Sequence, residues 1–186
     1  PGPSRMPFSA APAKDGYVWI PNFGVANKIS RLDPKTGEIK DYAVPNVDTA
    51  AVHSAVPAPD GSVWLAEQGS NKLGRWDPVT EKITEYQDAY LPGKEGTEDG
   101  GSRHTVRVDA KGTVWSSGYP FTRFDPETGK FTDFKEAPHT YSLAFDKAGD
   151  VWFTNPGTGQ IGKIDSKTLK VTQWMPPTRQ SYERRI

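Results

Sequence analysis

No cysteine occurs anywhere in the chain, which removes disulfides, thiolate metal sites and haem attachment through a CxxCH motif in one step. Neither sign of charge is in excess, since 23 Lys and Arg stand against 23 Asp and Glu. That balance leaves no electrostatic footprint for nucleic acid or an anionic membrane surface. Apolar runs of membrane-spanning length are missing, and no signal peptide is visible. Also missing is any stretch with a sustained helical period and caps. The opening residues Pro1-Gly2-Pro3 lack an initiator methionine and read as the start of a processed or excised piece. Neither a nucleic-acid partner nor a membrane span is therefore expected.

What the chain does have is repetition. The stretch DGSVWLAEQGSNKLGRWDPVTEKITEY, Asp60 to Tyr86, recurs with variation from Asp15, from Lys111 and from Gly149. Its anchors Trp19, Trp64, Trp115 and Trp152 stand 45, 51 and 37 residues apart, periods that indicate stacked supersecondary units. Within one copy the pattern is β-like. A run through Val63, Trp64 and Leu65 leads to a polar turn, a second run through Leu73 and Trp76, an Asp-Pro turn, and alternation through Ile83 and Tyr86. With the alternating Val52, Ser54 and Val56 ahead of the Asp-Gly pair, each copy supplies four strands.

The third turn of each copy has its own chemistry. Asp33-Pro34, Asp77-Pro78 and Asp125-Pro126 set a side-chain acceptor before a proline whose φ already suits a turn, and Gly37 and Gly129 follow for the left-handed position. These aspartates are turn caps rather than catalytic acids; Asp165-Ser166 with Leu169 is the decayed version. Four short antiparallel strands per unit, punctuated by Gly and Pro, predict an all-β fold, a β-propeller with four four-stranded blades. The tryptophans wedge between adjacent sheets. Blades are expected at about 8–45, 52–86, 104–138 and 139–177, with an insertion at 87–103 and a polar tail at 178–186. Glu95, Glu98 and Asp99 in the insertion are hard-cation ligand types, but the glycine-separated spacing fits a solvated, mobile loop. Open edges would expose unpaired strand backbone, so further blades or a second copy are expected to complete the ring.

The functional signal lies on the innermost strands. Counting eleven residues back from each tryptophan gives Phe8, His53, His104 and Tyr141, and His139 lies two further back. All three histidines of the chain thus converge near one mouth of the central channel. Glu67, Gln68 and Asn71, with Asn22, Ser117 and Asn155 in other copies, follow the tryptophan strand and are expected at the same mouth. Such a set can bind a metal, act as a base or hydrogen-bond a polar ligand; it can also simply line a water-filled channel. A three-histidine zinc site is opposed by the channel width separating the blades.

The run HSAVPAPDGSVWLAEQGSNKLGR, His53 to Arg75, resembles the repeat of the streptogramin B lyase (virginiamycin B lyase) family, and Asp150 to Lys163 and Asp15 to Arg31 repeat it more weakly. The resemblance implies a seven-bladed propeller and magnesium-assisted opening of a cyclic depsipeptide at its ester by elimination. In that chemistry Glu67 is the acidic, metal-binding residue and His53 or His104 the base. The family's catalytic copy carries a histidine two residues after the acid, where this chain has Gly69, with Gly157 in the fourth copy.

The leading expectation is a lyase-like propeller serving as a binding or assembly module in a periplasmic or secreted protein. It recognises a polar small molecule or a protein partner at a mouth lined by His53, His104, His139, Tyr141, Gln68, Asn71, Ser117 and Asn155. The alternative is a magnesium-dependent lyase using His53, His104 and Glu67. A calcium-dependent lactonase ranks last, because only Glu67 and the asparagines supply suitable ligands.

Overall fold

The computed structural model describes residues 6–45, 50–88 and 102–177. They form four antiparallel sheets of four strands, each a meander in chain order. The first holds β1 (Ala11–Pro12), β2 (Val18–Asn22), β3 (Lys28–Leu32) and β4 (Ile39–Ala43); the second β5 (Val52–Pro57), β6 (Val63–Glu67), β7 (Lys72–Trp76) and β8 (Ile83–Gln87). The third holds β9 (Ser102–Val108), β10 (Val114–Tyr119), β11 (Phe121–Asp125) and β12 (Lys130–Phe134); the fourth β13 (Leu143–Phe145), β14 (Val151–Asn155), β15 (Gln160–Ile164) and β16 (Val171–Trp174). The first strands lie side by side, β1 against β5, β5 against β9 and β9 against β13. They make the inner wall.

The turns follow from their residues. Asp15, Asp60 and Asp109 each accept a backbone N–H from two residues on, at 3.1, 3.0 and 2.8 Å. In the third turns, Asp33, Asp77, Asp125 and Asp165 do the same. The carbonyl of each of these four also accepts the N–H of the residue four further on at 2.8 Å. That fourth residue is left-handed: Gly37 and Gly129, but also Glu81 and Leu169, at φ of 54° and 59°. The turn tolerates a side chain where its hydrogen bonds are complete.

Between sheets the core is aromatic. Trp19 packs with Trp76 and Tyr42 at centroid distances of 4.5 and 5.6 Å, joining the first two sheets through Ile29, Val63 and Leu65. Trp64 does the same with Tyr86 and Phe124 at 5.5 and 5.7 Å, and Trp115 with Phe134 at 6.0 Å. Trp152 has a different setting. It stacks at 5.7 Å on Trp174, which is 46% exposed, and no further sheet covers that face among the described residues.

Several boundaries differ from the sequence expectation. Gln87 closes β8, and Ser102 and Arg103 open β9, so strand pairing extends into the span read as an insertion. Arg103 is fully buried and its guanidinium donates to the equally buried Asp88 at 2.7 Å. Residues 89–101, with Glu95, Glu98 and Asp99, and the tail 178–186 lie outside the described residues. The fourth inner strand starts at Leu143 rather than near His139, because His139 takes a left-handed φ of 57° that no strand accepts.

Candidate functional site

In three of the four sheets the inner strand carries one residue more than the strand beside it. Val52 and Ser54 oppose Glu67 and Ala66, so His53 is the extra residue of β5. Arg103 and Val106 oppose Gly118 and Ser116, so the span holding His104 and Thr105 is one residue long in β9. In the first sheet Pro7 and Ala11 oppose Asn22 and Trp19, four steps against three, around Phe8. A bulge of this kind turns a side chain out of strand alternation. Here it brings the rings of successive blades into a row.

The centroids run Phe8 to His53 at 4.3 Å, His53 to His104 at 3.5 Å and His104 to Tyr141 at 3.8 Å. Both imidazoles are 8% exposed. Nδ1 of His104 lies 2.9 Å from the carbonyl of Tyr141; a carbonyl only accepts, so Nδ1 carries the proton and Nε2 is the ring's acceptor when neutral.

The row borders a cleft of about 220 Å³ completed by Ser9, Ser54, Thr105, Ser142 and Arg107. No acid lines it. Arg107 is half-buried, its Nη1 donates to the carbonyl of Val106 at 3.0 Å, and burial alone depresses its pKa below the usual guanidinium range. The sequence reading missed Arg107. A signal was present: the place eight residues before the tryptophan is Ala11, Val56 and Ala144 in the other copies and basic only here.

Glu67, expected beside the histidines, does not line this cleft. It alternates with Val63 and Leu65 along β6, so its side chain is carried onto the face packed against the first blade, where it is fully buried. Ser70 donates to its Oε2 at 2.8 Å, and a Cβ on Gly74 would stand 2.6 Å from its Oε1. Burial, then the negative charge of Glu85, pushes the Glu67 carboxyl up to about 7, against the Ser70 hydrogen bond and the Lys72 ammonium. Lys72 Nζ itself donates to Glu85. A magnesium ion, which takes near-octahedral oxygen ligands, does not fit a carboxyl set between an ammonium and a second, already paired carboxylate. Among the described residues no group of three or more His, Asp or Glu is placed to hold a metal.

The remaining candidates divide. Ser117 is buried and its hydroxyl donates to the Tyr141 carbonyl at 2.7 Å while accepting the Thr105 N–H at 3.1 Å, tying β10 to β9 and to the segment leading into β13. Asn155, also buried, accepts the Thr158 N–H at 3.3 Å and caps its turn. Gln68 donates its backbone N–H to Ala51 at 3.2 Å, and Asn71 is a buried left-handed turn residue at φ 54°. Asn22 donates to Ser30 Oγ at 2.8 Å within the first sheet. His139 stacks flat on Tyr119 at 4.7 Å, outside the cleft lining. Of the nine site residues read from the sequence, His53, His104 and Tyr141 are brought together in one cleft.

No protein-family profile matches the sequence, and no curated protein matches it. Solved structures do. A catalytically inactive histidine-to-alanine virginiamycin B lyase from Staphylococcus aureus, crystallised with quinupristin, is 25% identical with a TM-score of 0.84, covering 100% of this chain and 60% of that one. A structure described as streptogramin B lyase is 23% identical with a TM-score of 0.57, over 98% and 73% of the two chains. The extracellular domain of a putative hybrid two-component system from B. thetaiotaomicron shares the fold at 16% identity and a TM-score of 0.69, over 93% and 22%. The chain thus spans about three fifths of the length of the S. aureus lyase.

Proposed function

We propose that this lyase-like propeller is a binding module whose site is the cleft walled by His53, His104 and Tyr141, taking a polar, ring-bearing small molecule or the side chain of a protein partner. The observation that carries the reading is the row of mutually packed, tilted rings, set against a cleft with no carboxylate in its lining among the described residues. Ring edges beside a cleft bind the faces of ring-bearing ligands edge to face, and polar groups fix their orientation. Elimination chemistry needs a base beside an electrophilic stabiliser of the developing enolate. Glu67 is buried outside the cleft lining, which favours binding over the catalytic constellation implied by the lyases. An extracytoplasmic setting, with further blades or a second copy against the Trp152 and Trp174 face, belongs to the same proposal.

Titration with benzamide, followed on the imidazole ring signals by NMR, tests it. The His53 and His104 signals shift while His139 stays as internal reference. Benzamide and related neutral single-ring fragments moving none of the signals, or His139 alone, would refute the site. Incubation with quinupristin and magnesium, read by chromatographic separation of ring-opened product, is expected to leave it intact; magnesium-dependent opening lost in H53A or H104A would establish the lyase instead.

A further inference from the structure

Arg107 differs from the other arginines in the described residues that reach inter-strand partners. Arg103 is paired with Asp88 at 2.7 Å, Arg75 with Asp60 and Asp77 at 3.0 and 3.3 Å, and Arg31 with Glu81 at 3.9 Å. Among the described residues no carboxylate lies within ion-pair distance of Arg107. Its one protein acceptor is a neutral carbonyl on its own strand. A guanidinium removed from water without a counter-charge is costly, and the cleft it enters is lined by hydroxyls, imidazoles and a phenol. The charged group of this cleft is a cation, so an anionic ligand complements it.

The shape narrows the class. A guanidinium presents parallel N–H donors that match a planar carboxylate in bidentate fashion. The neighbouring rings, Phe8, His53, His104 and Tyr141, pack on one another in a row, and ring edges beside a cleft favour the face of an aromatic body over a branched one. A volume of about 220 Å³ lies below the range of drug-sized sites and suits a single ring with one substituent. We propose that the cleft binds a small aromatic carboxylate, its carboxylate held by Arg107 and its ring face set across the edges of the His53 and His104 imidazoles. This rests on the binding reading above and names its ligand class.

Benzoate, benzamide and sulfate distinguish the cases on the unaltered chain, by the same imidazole signals and by calorimetry. Benzoate is expected to bind at least tenfold tighter than the isosteric neutral benzamide and tighter than sulfate. Arg107→Gln brings benzoate to the level of benzamide, while Arg107→Lys, which keeps charge but loses the fork, falls between. Equal affinity for benzoate and benzamide overturns the proposal, as does R107Q retaining the preference. Sulfate binding as tightly as benzoate overturns the carboxylate assignment in favour of an inorganic oxyanion. Benzamide shifting His53 and His104 without a benzoate preference removes the inference but leaves the binding reading; no shift by either removes both.

Discussion

Glu67→Gln should make the protein more stable, and only above a defined pH. The folded chain holds the Glu67 carboxyl at about 7 against an ordinary 4.5, chiefly through burial and the facing Glu85. A raised carboxyl pKa means that the folded state binds this proton more tightly than the unfolded state does. The stability it permits is therefore fully present below about 4.5 and declines as pH rises towards 7, where the buried acid must ionise or the chain unfold. A tenfold difference in proton affinity between the two states is worth about 1.4 kcal/mol, so the loss across this window is about 3 kcal/mol, to order of magnitude. Glutamine copies the neutral acid: its carbonyl accepts from Ser70 and its amide donates towards Glu85. Denaturant unfolding of parent and variant at intervals from pH 4.5 to 8 gives two curves. Their difference isolates Glu67 from the histidines, which titrate in both. The curves should meet near pH 4.5 and separate by up to about 3 kcal/mol, the variant higher, by pH 7.5. A constant difference, or a parent that gains on the variant as pH rises, would refute the reasoning.

Two further substitutions test the packing. Trp64→Ala, which empties a site closed between the second and third sheets, is expected to cost about 3–5 kcal/mol, whereas Trp152→Ala on the uncovered face should cost less than half as much in the same denaturation assay. Arg103→Ala leaves Asp88 and the neighbouring Asp133, whose carboxyl burial already raises, without their buried counter-charge; a loss of about 3–5 kcal/mol is expected, and a change below about 1 kcal/mol would show that the pair is not buried in solution.

The blades were legible because their signals are local. Trp19, Trp64, Trp115 and Trp152 recur at one position, and the Asp-Pro and Asp-Gly turns satisfy their hydrogen bonds within four residues. A short peptide contains all the groups that decide such a turn. The site was legible only in part. Counting back from the tryptophans brought Phe8, His53, His104 and Tyr141 to one place, and the structure sets them in one row. Its place at the end of the tryptophan strand put Glu67 at that mouth, though simple alternation from Val63 and Leu65 carries it onto the packed face.

What the amino-acid order determined by itself was the number of sheets, their strand content and turns, and the repeat position where rings gather. Tertiary structure alone decided what those positions face. The one-residue bulges in β5 and β9 arise from pairing between strands and cannot be seen in either strand alone. The burial of Glu67 comes from the first blade closing over it. Arg103 gains a carboxylate from across the span between β8 and β9, while Arg107, four residues on, meets only an acid-free cleft. Two arginines on one strand were thus given opposite electrostatic surroundings by neighbours distant in the chain, because burial and charge pairing depend on position in space.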